Sequence, residues 1–70
     1  MSEIQNEQNR QYSLKELRAR KNETQAQTAA ALGVTVQTYN AWEKKLINVA
    51  IGKVYKVASH FGVAITEIKV

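Results

Sequence analysis

The sequence has no cysteine, no aspartate and a single histidine among its 70 residues. Disulfides and thiolate metal sites are therefore excluded, and a zinc site built from protein side chains is not expected. The longest apolar runs are a few residues, far short of the roughly 20 that cross a bilayer. The polar N-terminus does not have the form of a signal peptide. These absences predict a protein of the cytoplasm that enters no membrane and holds no metal or other cofactor.

Residues for catalysis are also scarce. His60 stands near the end of a predicted helix, and the chain offers no cysteine or aspartate to build a triad or a metal site around it. We therefore expect an exposed helix histidine. The sequence contains no glycine-rich phosphate loop and no paired-carboxylate motif. The prediction is that the protein is not an enzyme.

What the chain does have is an excess of positive charge. Its formal net charge is +4, and between residues 13 and 56 there are eight Lys or Arg against three Glu. A basic surface of this kind suits a polyanion such as nucleic acid. On charge alone, an ordinary solvated charged face is an equally good explanation.

Two parts of the chain differ in composition. Residues 1–12 are almost wholly polar and have no periodic apolar face, which predicts a flexible arm. This arm either touches DNA through Arg10 or is a solubilising tail without a further role. Residues 13–70 are predicted to form one domain, near the lower size limit at which a single core is stable.

Capping patterns and apolar spacing predict an all-α domain, a compact bundle of about five short helices. Capping boxes begin the first two helices, a glycine ends the second, and a threonine caps the third; the residues are Ser13, Glu16, Thr24, Gln27, Gly33 and Thr35. The fourth helix spans about 51–61, with one inward face of Ile51, Val54, Tyr55, Val57, Ala58 and Phe61. Residues 63–70 suit one further helical turn or a short strand.

Residues 25–43 have the pattern of a helix-turn-helix, two helices separated by Gly33. The methyl group of Ala29 permits close approach where the two helix axes cross. Tyr39 and Trp42 form the apolar side of the second helix. The opposite side therefore points toward whatever the protein reads, and it carries Val36, Gln37, Asn40 and Ala41.

From residue 14 to about residue 68 the chain resembles the Cro/CI-type helix-turn-helix domains of phage repressors, the lambda-repressor-like domains. The resemblance rests on Ala29 and on the segments 14–18, 24–25, 32–35, 42–43, 57–58 and 61–63. Glu23 and Thr28 depart from it, because such domains usually carry leucine-like residues there. The loop after Glu43 also lacks the family's usual glycine and proline.

The resemblance implies that the second motif helix enters the major groove of DNA. It makes Val36, Gln37, Asn40 and Ala41 the base readers, and their amide and methyl chemistry favours a half-site containing A·T pairs. Phosphate contacts are expected from the helix N-termini and from Gln25, Thr35, Thr38, Lys44, Lys45 and Asn48. Arg18 and Glu43 are expected to form a structural ion pair, the alternative being that Arg18 binds a phosphate directly.

These observations predict a sequence-specific regulator of transcription that binds double-stranded DNA. The specific prediction is a phage or mobile-element repressor, in a bacterium or a phage-infected cell, that occupies a palindromic operator as a weak homodimer. The dimer is predicted to pair through Ile65, Ile68 and Val70, the alternative being that Ile65 and Ile68 close the monomer's own core. One alternative is an antitoxin of a toxin–antitoxin pair. Another is a protein-interaction module of helix-turn-helix shape, against which Lys44 and Lys45 argue because they stand beside the recognition helix.

Overall fold

The computed structural model describes residues 10–70, so most of the predicted arm lies outside the described residues. Four α-helices follow one another: α1 is Leu14–Arg20, α2 is Gln25–Leu32, α3 is Val36–Lys44 and α4 is Ile51–Phe61. A short 3₁₀ turn, Ile65–Glu67, follows α4. The all-α class is confirmed. The predicted count of five is not met, because residues 10–70 hold four α-helices and the last element is this single 3₁₀ turn.

The helix ends follow from local chemistry. The capping boxes of Ser13 with Glu16 and of Thr24 with Gln27 are both formed, as predicted. Gly33 ends α2 in the left-handed region at φ 75°, where its N–H donates to the Ala30 carbonyl and the next N–H donates to the Ala29 carbonyl. This pattern satisfies two carbonyls that the helix would otherwise leave unpaired. The turn between α2 and α3 is thereby fixed.

The core lies between the four helices. Helix α2 packs against α3 and α4, α1 packs against α3, and α4 packs against the 3₁₀ turn. The buried apolar residues are Leu14, Leu17, Ala29, Leu32, Tyr39, Trp42, Leu46, Val54, Val57, Ala58 and Ile68. Two residues predicted on the inward face of α4 are instead exposed, Ile51 by 64% and Tyr55 by 58%. None of the described helices is long and apolar enough to cross a membrane.

The two ends of the described chain meet at one point. The Tyr12 N–H donates to the Glu67 carbonyl at 2.8 Å, and the Lys69 N–H donates to the Tyr12 carbonyl at 2.8 Å. This makes an isolated parallel bridge between Tyr12 and Ile68. Tyr12, which the sequence assigned to the arm, therefore belongs to the folded part. The sequence suggested either a helical turn or a short strand for residues 63–70, and the structure has a helical turn followed by a strand-like contact.

Candidate nucleic-acid interface

Helix α3 presents one face to the core and the opposite face to solvent. Tyr39 is fully buried, and its ring meets that of Trp42 edge to face with centroids 6.4 Å apart. The predicted readers Val36, Gln37 and Ala41 are exposed, whereas the fourth, Asn40, is half-buried. Three of the predicted readers are thus accessible, and Asn40 lies against neighbouring side chains.

A chain of side-chain hydrogen bonds joins three helices beside Asn40. Arg18 of α1 donates from Nε to Glu43 Oε2 at 2.6 Å, the expected ion pair. Gln25, at the start of α2, donates from Nε2 to Glu43 Oε1 at 2.9 Å. Asn40 donates from Nδ2 to Gln25 Oε1 at 3.2 Å. The ion pair, a predicted phosphate ligand and a predicted base reader therefore form one network.

The carboxylate of Glu43 sets the direction of every bond in this network. An ionised carboxylate only accepts hydrogen bonds, so Gln25 must turn its amide nitrogen toward Glu43. The Gln25 carbonyl oxygen then faces Asn40, which must in turn present its own amide nitrogen. One Nδ2 hydrogen and the Oδ1 of Asn40 remain for other partners. That donor and acceptor pair is the one that an adenine edge matches in the major groove.

Electrostatics favour the ionised form of Glu43. Burial alone would raise the pKa of Glu43, but hydrogen bonds from Arg18 and Gln25 outweigh burial and hold the pKa below its ordinary value. The Tyr39 hydroxyl is buried near this carboxylate, yet it meets no hydrogen-bond partner of acceptable geometry among the described residues. Burial, followed by the nearby Glu43 carboxylate, raises the pKa of Tyr39. Tyr39 therefore stays a neutral core residue.

The predicted phosphate ligands surround the exposed face of α3. At its N-terminus the Thr35 hydroxyl accepts from the Thr38 N–H at 3.1 Å and donates to the Thr38 hydroxyl at 3.0 Å. The Thr38 hydroxyl hydrogen is left for an outside acceptor. Lys44, Lys45 and Asn48 are exposed at and beyond the other end of α3. Both ends of the helix thus offer donors to an anion.

Lys15 is a basic residue of this face that the sequence did not single out. It lines a shallow cleft of about 330 Å³ together with Arg18, Gln25, Asn40, Glu43 and Lys44. Lys15 lies on α1, and only the packing of α1 against α3 brings it beside Lys44. Its charge and exposure were visible in the sequence, but its position was not.

The residues predicted for a dimer interface do not form one exposed surface. Ile68 is 2% exposed and belongs to the core, where its backbone also pairs with Tyr12. Its side chain is not accessible to a second copy, so this part of the prediction is corrected. Ile65 is partly buried and packs against the core, and Val70 is 70% exposed.

A second polar cluster occupies the two positions that depart from the family pattern. Thr28 is fully buried, and its hydroxyl donates to Glu23 Oε1 at 2.7 Å. The same oxygen lies 2.8 Å from His60 Nε2 of α4, and Lys21 Nζ lies 3.6 Å from Glu23 Oε2. Hydrogen bonds from His60 and Thr28 lower the pKa of Glu23. The prediction of an exposed His60 is therefore wrong, because the ring bridges α4 to the start of α2.

No three side chains of metal-ligating type come together within residues 10–70. The chemistry on offer is instead an exposed helix face of amide and apolar groups, bordered by basic residues and by the N-termini of α2 and α3. An α-helix of this kind fits the major groove of B-DNA, which is about 12 Å wide.

Comparison with known proteins gives one match. No curated protein and no solved structure matches the chain. The sequence pattern of a helix-turn-helix family matches residues 14–68, which span α1 to the C-terminal bridge. The match covers most of the 70 residues and includes both helices of the motif. The chain belongs to the Cro/C1-type helix-turn-helix family of DNA-binding transcription regulators.

Proposed function

We propose that this protein is a sequence-specific repressor of the phage or mobile-element type, which occupies a roughly palindromic operator as a dimer. The exposed face of α3 is the observation that carries the proposal. Val36, Gln37 and Ala41 are accessible on one side of a helix whose other side is locked into the core. A helix held in this way presents its side chains to DNA without further ordering, which limits the entropic cost of binding.

The proposed base readers are of two chemical kinds, amides and apolar side chains. The Gln37 amide is able to make a bidentate contact with adenine, and the methyl groups of Val36 and Ala41 suit the thymine methyl. Asn40 adds a second amide, whose orientation is set by Gln25 and, through it, by Glu43. We propose that the half-site contains A·T pairs opposite these residues.

The phosphate ligands of the proposal flank the readers at both ends. Thr35 and Thr38 lie at the N-terminus of α3, and Gln25 lies at the N-terminus of α2, where backbone N–H groups also point outward. The basic and polar group at the other end is Lys15, Lys44, Lys45 and Asn48. Phosphate contacts of this kind fix register on the duplex, whereas the base contacts provide specificity.

A repressor of this type acts by occupancy. Bound at an operator it excludes polymerase, so it needs no catalytic residue and no cofactor. One recognition helix covers only a few base pairs, and two copies held about one DNA turn apart give the affinity that a specific operator requires. We propose the dimer for this reason, and we propose that it acts in the compartment that holds the DNA.

Selection from a random pool of duplex DNA tests the proposal. We expect enrichment of a sequence with two inverted A·T-containing half-sites, and a variant carrying Gln37→Ala and Asn40→Ala in the same selection serves as the matched control. Enrichment of no motif by the parent protein would instead favour the protein-interaction module. Enrichment of the same motif by both proteins would contradict the assignment of these two readers.

A further inference from the structure

One flank of α4 is apolar, exposed and uncharged. Its two large side chains are Ile51 and Tyr55, 64% and 58% exposed. Gly52 and Ser59 are exposed beside them. At about 100° per residue, these four positions fall within about 100° of the helix circumference. We call them the α4 flank. The buried residues Val54, Val57 and Ala58 occupy an adjoining part of the circumference, with Ala58 next to Ile51.

Neither backbone conformation nor packing among the described residues requires glycine at position 52. It lies in the first turn of α4, its φ is not in the left-handed region, and a Cβ built there meets no atom of residues 10–70 within 4 Å. Glycine inside a helix is less favourable than alanine. A bare position next to two exposed large side chains suits the close approach of another helix from outside.

We propose that the α4 flank is the surface through which two copies of this chain associate, each placing its Ile51 and Tyr55 beside the partner's Gly52 and Ser59. A two-fold axis requires such a self-complementary patch. The inference rests on the proposed function in one respect, namely that two recognition helices must be held together on DNA.

Charge favours the α4 flank over the basic faces as the surface for a second copy. The chain carries a net charge of +4, and the α4 flank carries none. Lys53 and Lys56 stand further round α4, so pairing the flanks does not bring their ammonium groups into the centre of the contact. An acidic protein partner would instead be attracted to the lysines beside α3. Like-charge repulsion disfavours self-association through the basic faces but not through this one.

The position and size of the flank agree with a dimer that is completed on DNA. The flank lies on the helix that follows the recognition helix α3 along the chain, and Ile47 in the connecting loop is also 63% exposed. The two large side chains of the flank, Ile51 and Tyr55, offer each copy far less area than half of a stable interface. A stable interface buries about 1,200–2,000 Å² in total, so association in solution is weak and DNA supplies the remaining stabilisation.

Sedimentation equilibrium of the full chain without DNA tests the pairing directly, at concentrations up to millimolar. We expect reversible dimers for the parent protein and at least tenfold weaker association for Ile51→Glu. The matched control is Val70→Glu, which places the same charge on another exposed apolar residue and should associate like the parent. A parent that stays monomeric, or equal weakening by the two substitutions, would overturn the inference. A monomeric parent that captures a different protein would overturn it as well.

Gly52→Gln provides a second variant that does not depend on adding charge. The monomer has room for the new side chain, and glutamine is the better helix former, so the melting temperature should be unchanged or higher. Association should nevertheless fall at least tenfold, because the side chain occupies the space that the partner needs. A stable variant with parental association would contradict helix packing at Gly52 and with it the proposed pairing.

DNA binding separates this inference from the proposed function. Duplexes with one and with two copies of the enriched half-site are titrated with the parent and Ile51→Glu. We expect equal affinity for one copy and a loss of cooperativity on two copies in the variant alone. Dimers in solution without any enriched DNA sequence would overturn the proposed function and leave the α4 flank standing. Specific but non-cooperative binding by a parent that stays monomeric would overturn the α4 flank and the proposed dimer, and would leave the proposed sequence-specific binding by α3 in place.

Discussion

Asn40 and Gln25 are joined across the helix-turn-helix, with Asn40 Nδ2 donating to Gln25 Oε1 at 3.2 Å. The bond links a proposed base reader on α3 to the first residue of α2. Because Gln25 is itself fixed by Glu43 at 2.9 Å, the orientation of the reading amide is determined by residues that never reach a base. Sequence preference is therefore expected to depend on this second set of residues.

Gln25→Ala tests that dependence. The substitution removes one proposed phosphate donor and also frees the Asn40 amide to rotate. Asn40 then no longer presents one donor and one acceptor in a fixed order. We expect weaker operator binding and, at one base pair of each half-site, a loss of roughly 1 kcal/mol of discrimination between adenine and guanine. Competition binding against single-base operator variants measures both effects. A uniform loss with unchanged preference would show that Gln25 acts on phosphate alone.

Gln37→Ala should act on specificity without affecting non-specific binding. Gln37 is exposed early in α3, with no hydrogen bond to another described side chain that would compete for its amide. We expect a loss of roughly 1–3 kcal/mol on the operator and almost none on random duplex DNA. Titration of both duplexes at one salt concentration provides the comparison. Equal losses on the two would remove Gln37 from the base readers.

Lys44→Ala should weaken binding to every sequence. Lys44 lies at the end of α3 and lines the cleft with Lys15. Removing its charge should reduce the magnitude of the slope of log binding constant against log salt concentration by about one. Lys69→Ala is the matched control, because it removes the same charge from the C-terminal segment, where Lys69 lies near Glu16. The prediction requires a larger change of slope for Lys44→Ala than for Lys69→Ala.

Glu43→Gln should lower stability in a manner that depends on pH. The side chain of Glu43 is 7% exposed, and its partner Arg18 is 18% exposed, so solvent screens the pair only partly. We expect a loss of about 2 kcal/mol in the free energy of unfolding at pH 7. Because the folded-state pKa of Glu43 lies below the ordinary value near 4.3, this contribution is complete above that value. It is lost as the pH falls through the folded-state pKa.

Urea denaturation of the parent and Glu43→Gln between pH 7 and pH 2 measures this dependence. The difference between the two proteins should narrow only in the acidic range. A difference that stays constant with pH would mean that the ionised pair is not what Glu43 contributes.

Thr28→Val tests the cluster of Glu23, Thr28 and His60. Valine keeps the volume of the fully buried side chain but removes the hydroxyl that donates to Glu23 at 2.7 Å. Since a hydrogen bond to a charged acceptor contributes about 1.5–3 kcal/mol, we expect a loss of stability in that range. Thr66→Val, at an exposed threonine of the 3₁₀ turn, should cost much less. Equal effects of the two substitutions would contradict a stabilising role for the cluster.

The sequence predicted those parts of the fold that depend on neighbouring residues. The boundaries of α2 and α3 followed from Thr24, Gly33 and Thr35, whose effects act within one helical turn. The exposure of Val36, Gln37 and Ala41 on α3 followed from the same periodicity that placed Tyr39 and Trp42 in the core. Such features require no knowledge of how the helices are arranged.

Contacts between segments that are far apart in the sequence were harder to predict. Glu23 and His60 are separated by 37 positions and come together only because α4 packs near the start of α2. Tyr55 was assigned to the core because its apolar side chain continues a plausible stripe, yet only part of that stripe faces α2. Ile68 was assigned to a dimer interface because it belongs to an apolar C-terminal stretch, with the monomer's own core as the alternative that the structure supports. In each case the error came from tertiary packing, which periodicity along one helix does not specify.

The bridge between Tyr12 and Ile68 joins the two ends of the folded chain. Its two backbone hydrogen bonds close the 55 residues between Tyr12 and Ile68 into one loop. Closing a loop of that length has an entropic cost, which the contacts made by the folded chain must offset. The beginning and the end of the folded chain therefore support each other. Removing residues 67–70 should therefore increase hydrogen exchange in α1, near the opposite end of the chain, as well as in the residues just before the cut.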